Sequence, residues 1–337
     1  MRSTIRQTMK TLLLLTLTTS CFPLIAAEKT ANLSAQAGVS VTFPPAASGL
    51  LAALKADGLE AKPNQQGDIV ELRAPQGHGP VAAELWARLR AKPALRKFSG
   101  SKVSRDDIRE LAGFPELAEV MLGGHGDYGD EDFVWFGKMR ALRYLKIHHT
   151  TGIITGAGME HLVNLPQLKR IEILNTWVDP VLKAGPNPPH LFGDAAYPFF
   201  ARMAGLEELD LTAVHDSTPD GLRSLSASRS LRILKVDRIA PGPLLEAIAD
   251  IKSLRFLEVF LSFERRPATD AECSALAQLG HLDTLILYNA SITAEQLTQL
   301  QSKLPHTDIE LRHRDGAHGE GERDTYRPKL RERTAIR

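Results

Sequence analysis

The chain has 337 residues, of which 43% are hydrophobic and 24% are charged, and its formal net charge is +1. This composition is ordinary for a folded protein and supplies enough apolar side chains for a large core, which excludes a wholly disordered chain. The balanced charge leaves no basic excess, so we expect no nucleic-acid partner.

The first 27 residues have the features of a secretory signal peptide. Arg2, Arg6 and Lys10 precede an apolar stretch that starts at Leu12 and ends in small residues at 25–27. The stretch is too short and too rich in threonine to span a membrane, and we expect no other span. Removal of the three cations lowers the formal net charge from +1 to −2. We therefore predict an exported protein, either periplasmic or secreted.

The two cysteines bear on anchoring and redox chemistry. Lipidation at Cys21 is an alternative to cleavage after residue 27, although the preceding Thr18-Thr19-Ser20 is a poor lipid-attachment signal. Once the signal peptide is removed, Cys273 is the only cysteine and has no partner for an internal disulfide. Its place in a helical pattern predicts a buried apolar role.

An apolar triplet with the spacing Leu-x-x-Leu-x-Leu recurs along most of the chain. Its first positions are Leu117, Leu142, Leu168, Leu206, Leu231, Leu254 and Leu282. These positions lie 25, 26, 38, 25, 23 and 28 residues apart. Seven copies at a nearly constant period indicate a repeat architecture, with each triplet on a strand.

A second pattern follows the triplets. A hydroxyl residue is followed four and seven residues later by apolar residues, and it stands at Ser104, Thr155, Thr218, Thr269 and Thr293. A hydroxyl oxygen can cap a helix by accepting from a free backbone N–H, and the two apolar residues then share one helical face. Each unit therefore reads as strand, tight turn, helix and return loop, and stacked units share one core.

These residues resemble the leucine-rich repeat family, and most of all its secreted bacterial, ribonuclease-inhibitor-like, short-turn members. The segments "YNASIT" and "LNTWVD" match that family's strand exit, with Asn289 and Asn175 near its asparagine-ladder position. The resemblance covers about residues 95–311. It implies a right-handed α/β solenoid with a parallel sheet on the concave face and helices on the convex face. The family's scaffold serves many unrelated partners.

The segments around the repeats define the predicted domain organisation. We predict a signal peptide at 1–27, a flexible leader at 28–45, an N-terminal cap with the first coils at 46–94, a solenoid at 95–311 and a disordered charged tail at 312–337. Helices are predicted at 46–61 and 81–91, and strands at 68–72 and 307–311. A proline-rich insert near 179–194 is either a tolerated loop or a binding flap. The tail is either solvated or a basic envelope anchor.

One glycine-rich loop has a pattern that also occurs at nucleotide sites. "GHGDYG" at 124–129 matches Gly-x-Gly-x-x-Gly, but Asp127, Asp130, Glu131 and Asp132 would repel a phosphate. The same carboxylates could hold a hard cation, although the spacing is not that of a known calcium loop. An acidic turn that complements a helix dipole explains them more simply, so we predict no cofactor.

The remaining residue types give no catalytic pattern. His148 and His149 are adjacent in extended chain and point to opposite faces, and His125 lies one coil earlier. The sequence has no serine nucleophile elbow, no His-Glu-x-x-His and no Cys-x-x-Cys. We therefore predict no metal site, no catalytic residue and no enzymatic activity.

The strand residues between the core positions face the concave side. The candidate binding residues there are Tyr144, Lys146, Arg170, Phe256, Glu258, Phe260, Ile286 and Tyr288. We expect cross-strand ion pairs of Arg170 with Glu208, Lys146 with Glu172, and Lys235 with Asp210 and Glu258. Four of the candidates, the aromatic and aliphatic ones at the C-terminal end, should form an exposed apolar patch unless the tail or the insert covers it.

These observations predict an exported, non-enzymatic module that binds a protein or peptide through its concave sheet face. One alternative is a structural scaffold anchored at the envelope through the tail or lipidation. Another is an enzyme with its site in the insert at 179–194 or in the acidic loop. Members of the same family that act as ubiquitin-ligase adaptors are a poor analogy, because this chain has a signal peptide and no adaptor-binding leader.

Overall fold

The structure is a computed structural model of the chain, and it describes residues 45–124, 126–148, 154–174, 192–212, 217–236, 242–260, 266–288 and 290–312. Several expectations lie outside these residues: the signal peptide with Cys21, most of the leader, His125, His149, Asn175, Asn289, nearly all of the insert and all but the first residue of the tail. The domain boundaries stay a prediction.

Thirteen strands alternate with nine α-helices in the described part of the chain. The strands are β1 Glu60–Pro63, β2 Ile69–Ala74, β3 Lys97–Ser101, β4 Glu119–Gly123, β5 Tyr144–His148, β6 Arg170–Leu174, β7 Glu208–Leu211, β8 Ile233–Val236, β9 Phe256–Phe260, β10 Arg266–Pro267, β11 Thr284–Tyr288, β12 Ala290–Ser291 and β13 Asp308–Arg312. The helices are α1 Pro45–Ala56, α2 Ala83–Arg90, α3 Arg105–Leu111, α4 Phe133–Phe136, α5 Tyr197–Arg202, α6 Pro219–Arg223, α7 Pro243–Ala249, α8 Asp270–Leu276 and α9 Ala294–Lys303.

Eleven of these strands form one open sheet whose order is the order of the chain, from β1 to β9 and then β11 and β13. All pairs are parallel except β1 with β2. The short strands β10 and β12 pair with each other. A parallel step needs a crossover, and the helices supply most of these crossovers. The predicted α/β solenoid is confirmed.

The apolar triplets explain why the strands pair in this register. Their middle positions form one row across the sheet: Leu145, Ile171, Leu209, Leu234, Leu257 and Leu285. All six side chains are completely buried. A slip of one residue would move a whole row to the other face of the sheet, so the shared core fixes the register.

Four of the five predicted helix starts are confirmed. The hydroxyl oxygens of Ser104, Thr218, Thr269 and Thr293 each accept from a backbone N–H three residues later, at 3.1–3.2 Å. The prediction is wrong at Thr155. A 3-10 helix begins there at Ala157, after Gly156 with a φ of 102°. Because the left-handed residue changes the spacing, the Thr155 hydroxyl oxygen accepts from the Ala157 N–H at 3.3 Å, two residues later rather than three, and the same hydroxyl donates to Asp130.

The N-terminal end of the sheet differs from the prediction. The helix predicted at 46–61 ends at Ala56, because Gly58 has a φ of 83° and its N–H bonds to the Lys55 carbonyl oxygen at 3.0 Å. The chain then forms β1, which was not predicted. This antiparallel strand covers the edge of β2 and closes the stack at this end.

The described helices are short, and α1 is the longest of them at 12 residues. In the described ranges, no helix is both long and apolar enough to cross a membrane.

The shared core makes a first prediction. Leu209→Ala should lower the free energy of unfolding by about 3 kcal/mol, because it leaves a cavity in a completely buried row. Leu297→Ala is the matched control, since Leu297 is only half-buried in α9, and it should cost about 1 kcal/mol. Urea unfolding measures both values, and equal losses would contradict the continuous core.

Candidate partner-binding face

The open face is the side of the sheet that carries the third, fifth and seventh residues counted from the first leucine of each triplet, whereas the first, fourth and sixth residues are the triplet itself. Side chains at position three pair across strands as Tyr144, Arg170 and Glu208. Those at position five pair as Lys146 and Glu172, and then Asp210. The alternation predicted for the candidate residues is therefore present, and it places like positions about 4.8 Å apart on neighbouring strands.

A charged cluster occupies the open face of β5, β6 and β7, and its members are Tyr144, Lys146, Arg170, Glu172 and Glu208. Lys146 Nζ lies 3.1 Å from Glu172 Oε2, and Arg170 Nε lies 3.3 Å from Glu208 Oε1. Arg170 also pairs with Glu172, and its guanidinium lies 4.8 Å from the centre of the Tyr144 ring. The two predicted ion pairs are confirmed, and together they join three strands.

The cluster is more buried than the sequence suggested. The Glu172 side chain is only 4% exposed and that of Arg170 is 19% exposed. Burial alone raises the pKa of Glu172, but the charges of Lys146 and Arg170 more than offset it, so the pKa is lowered. Burial, and then the Glu172 charge, raise the pKa of Tyr144. At neutral pH the cluster therefore holds an ionised carboxylate beside a neutral phenol.

An aromatic corner lies at the C-terminal end of the same face, and its members are Phe260, Tyr288, Glu310 and Arg312. The rings of Phe260 and Tyr288 stack with centroids 4.3 Å apart and planes 7° apart. Arg312 Nη1 donates to the Tyr288 hydroxyl oxygen at 3.1 Å. Two further bonds of 2.7 and 2.9 Å join Arg312 to the Glu310 carboxylate. The guanidinium and both rings are thus held in one arrangement.

The expectation of an exposed apolar patch is wrong. Phe256 and Ile286 are completely buried and Phe260 is 8% exposed, whereas Glu258 and Tyr288 are half-buried. Part of the reason is lateral packing, since Phe256 lies between Ile233 and Thr284 and Phe260 is covered by Tyr288. The alternative that the tail or the insert covers the patch concerns residues almost entirely outside the described ranges.

The third predicted ion pair is present in part. Lys235 Nζ lies 4.0 Å from Glu258 Oε2, at the limit of an ion pair. Asp210 accepts from the Thr212 N–H at 3.2 Å and from its hydroxyl at 2.5 Å. The open face therefore carries charge from β5 to β9.

Aspartates of the turns link successive coils. Asp130 accepts from the N–H groups of Thr155 and Gly158 at 2.9 and 3.1 Å, one coil further along the chain. Asp194 accepts from the N–H of Thr218 at 2.8 Å in the same way. Such charge-assisted bonds satisfy backbone N–H groups of the turns.

The acidic loop at 127–132 is engaged in similar links. Asp127 accepts from the Arg105 N–H at 3.1 Å, and the Arg105 side chain pairs with Glu131 and with Asp132, the latter at 3.2 Å. Asp132 also accepts from the Gly129 N–H at 2.9 Å. Within the described residues, no group of three His, Cys, Asp or Glu side chains could hold a metal ion. The loop is explained by contacts between coils.

Cys273 lies in α8 and is half-buried, which is less than the sequence predicted. Burial raises the pKa of its thiol, and the charges of Asp270 and Glu272 raise it further. The thiol is therefore protonated at neutral pH, which makes it a poor nucleophile.

The sequence reasoning missed Glu310 and Arg312 as members of the open face. The signal was available, because the strand predicted at 307–311 places residue 310 beside Ile286 and residue 312 beside Tyr288. Residue 312 was predicted to be the first residue of a disordered tail, so the strand pattern was not extended to it.

The buried carboxylate gives a pH-dependent prediction. Glu172→Gln should lower the free energy of unfolding by about 2–3 kcal/mol at pH 7, because Lys146 and Arg170 lose the anion between them. Since the folded-state pKa of Glu172 is lowered, its contribution exists above the unfolded pKa of about 4.3 and is lost as the pH falls. The difference between variant and wild type should therefore shrink below about pH 4.

Denaturant unfolding at pH 7 and pH 3.5 measures this effect. Glu119→Gln is the control, because its 3.0 Å ion pair with Lys97 is exposed and should be worth less than about 1 kcal/mol. A Glu172→Gln penalty that stays the same at both pH values would contradict the assigned charge state.

The links between coils give a separate prediction. Asp130→Ala should cost about 2 kcal/mol of stability, because it leaves three N–H groups and one hydroxyl of the next coil without their acceptor. Asp127→Ala removes one exposed backbone bond and should cost about 0.5 kcal/mol. Thermal unfolding compares the two, and a larger loss for Asp127→Ala would contradict the assignment.

Comparison with known proteins gives matches among solved structures only. No family model and no curated protein matches the chain. Among the solved structures that it resembles is an internalin from Listeria monocytogenes, 14% identical, matched over 80% of this chain and 89% of that one with a TM-score of 0.37. A likeness with this TM-score carries no argument about this chain. The sheet order and the buried triplets themselves give the described residues the architecture of a leucine-rich repeat solenoid.

Proposed function

We propose that the protein is an exported, non-enzymatic module that binds a protein or peptide partner through the open face. The observation that carries this proposal is the aromatic corner, where Tyr288 is half-buried and held between Phe260 and Arg312. Tyrosine and arginine dominate the residues that contribute most to protein interfaces. Side chains already fixed in place lose little entropy when a partner binds.

The charged cluster supports the same face as the site of specificity. Lys146 remains 33% exposed, so its ammonium group can contact a partner while it pairs with Glu172. Tyr144 and Arg170 are also partly accessible. Paired and fixed charges of this kind favour the correct partner and its orientation more than they add affinity.

The eight candidate residues then divide into two roles. Tyr144, Lys146, Arg170, Glu258 and Tyr288 are accessible in part and would contact the partner. Phe256, Phe260 and Ile286 are buried and would support the contacting residues from beneath. Arg312 joins the contacting set through its bond to the Tyr288 hydroxyl.

The alternatives receive no comparable support. An envelope-anchored scaffold depends on the N-terminal segment and the tail, and an enzyme in the insert depends on residues that are mostly outside the described ranges. Export depends on the signal peptide pattern, and the mass of the mature protein would test cleavage after residue 27. An open face with a rigid aromatic corner favours binding.

Site-specific photocross-linking tests the proposal. A benzophenone amino acid is placed at Tyr288 on the open face or at Val134, an apolar side chain in α4 that is 37% exposed. Illumination in the native host should give a defined protein adduct from position 288 and none from position 134. Equal adducts from both positions, or none from 288, would contradict the proposed face.

A second pair of variants distinguishes specific binding at the open face from non-specific cross-linking. With the cross-linker at Lys146, the substitution Tyr288→Ala should reduce the adduct at least tenfold, because it removes the aromatic anchor. Arg202→Ala is the control, since Arg202 lies in α5 near the Phe199 ring on the helix layer, and it should leave the adduct unchanged.

A further inference from the structure

The two ends of the sheet differ in whether another strand covers the edge. At the N-terminal end, the antiparallel strand β1 covers β2. At the other end, β13 pairs in parallel with β11, and no further described strand lies beyond it. The outer edge of β13 is therefore a row of backbone groups that the described sheet leaves unpaired, and such edges pair with other strands.

The direction of these backbone groups follows from one hydrogen bond. The Asp308 N–H donates to the carbonyl oxygen of Asp283, which precedes β11, at 2.9 Å. Because successive residues of a strand direct their N–H and C=O groups to opposite sides, those of Ile309 and Leu311 point to the outer edge. Two residues separated by one position can each form a hydrogen-bonded pair with a neighbouring antiparallel strand.

The core is also incomplete at this end. Ile309 and Leu311 occupy the triplet positions of β13 but are only half-buried, as is Ile292 before α9. The equivalent residues of β11, Leu285 and Leu287, are completely buried. Within the described residues, the last coil covers its neighbour but has no further coil beside it, so another layer would bury more apolar area here.

We propose that β13 pairs antiparallel with β13 of a second copy of this chain, about a two-fold axis that passes between the two Glu310 residues perpendicular to the sheet. In this register Ile309 faces Leu311 of the other copy, and each pair exchanges two backbone hydrogen bonds. The axis leaves the core-facing sides of both copies on the same side of the joined sheet, so their half-buried apolar residues come into contact. The two open faces then lie on the same side of one continuous sheet.

The charges of β13 are complementary to themselves in this register. Asp308 of one copy lies opposite Arg312 of the other, and this occurs twice because of the two-fold symmetry. The Glu310 residues face each other, but each is neutralised by its own Arg312 through bonds of 2.7 and 2.9 Å. Opposite charges across strands stabilise a pair, and like charges destabilise it.

A second copy fits the edge better than other occupants for this reason. The strand reads acid, apolar, acid, apolar, base, so reversal of its direction places a base against an acid and an apolar residue against an apolar one. A different protein strand and residues 313–337 of the same chain are the other occupants considered, and the experiment distinguishes them.

Sedimentation equilibrium of the purified protein over a range of concentrations tests the proposal. The wild type should reach a dimer mass. Ile309→Pro removes an N–H that the described sheet does not use, so it should abolish the dimer while the circular dichroism spectrum stays the same. A monomer at every concentration, as expected if the tail or a foreign strand occupies the edge, would overturn the proposal.

Charge variants test the register itself. Asp308→Lys should weaken the dimer, because it places a second cation opposite Arg312 of the other copy. Glu310→Gln should tighten the dimer about threefold by removing the like-charged pair. A dimer that responds to none of these variants uses another surface, and the proposal would then be wrong.

Discussion

The structure depends on burial that each coil can obtain only from its neighbours. The triplet residues of one strand lie beside those of the next in a fixed register, and the row from Leu145 to Leu285 is completely buried. No coil has a core of its own, because a strand and a short helix leave one apolar side uncovered. This requirement sets the parallel register, the repeat period and the need to cover each end of the stack.

The polar groups of the turns and of the open face lie outside the shared core. The turns are joined from coil to coil by aspartates such as Asp130 and Asp194, which accept from backbone N–H groups of the following coil. On the open face, Glu172 is buried between Lys146 and Arg170, so a carboxylate that would be costly alone is stabilised by two cations. In this arrangement the Lys146 side chain keeps 33% of its surface exposed.

The sequence predicted the features that depend on local spacing. Strand positions, their register and the caps at Ser104, Thr218, Thr269 and Thr293 follow from periodicity and from hydroxyl chemistry within a few residues. Features that depend on distant packing were not predictable in this way. The strand β1, the burial of Phe256 and the bond from Arg312 to Tyr288 depend on which elements lie side by side, and the left-handed Gly156 altered one turn.

Hydrogen exchange measured by mass spectrometry in dilute solution tests the central claim most directly. If neighbouring coils bury each other, amides of the central strands β5–β8 should exchange most slowly, and protection should fall gradually towards both ends of the sheet. Uniform protection from β1 to β13 would contradict this account. So would two protected blocks separated by a fast-exchanging middle, because independent cores would then stabilise the chain.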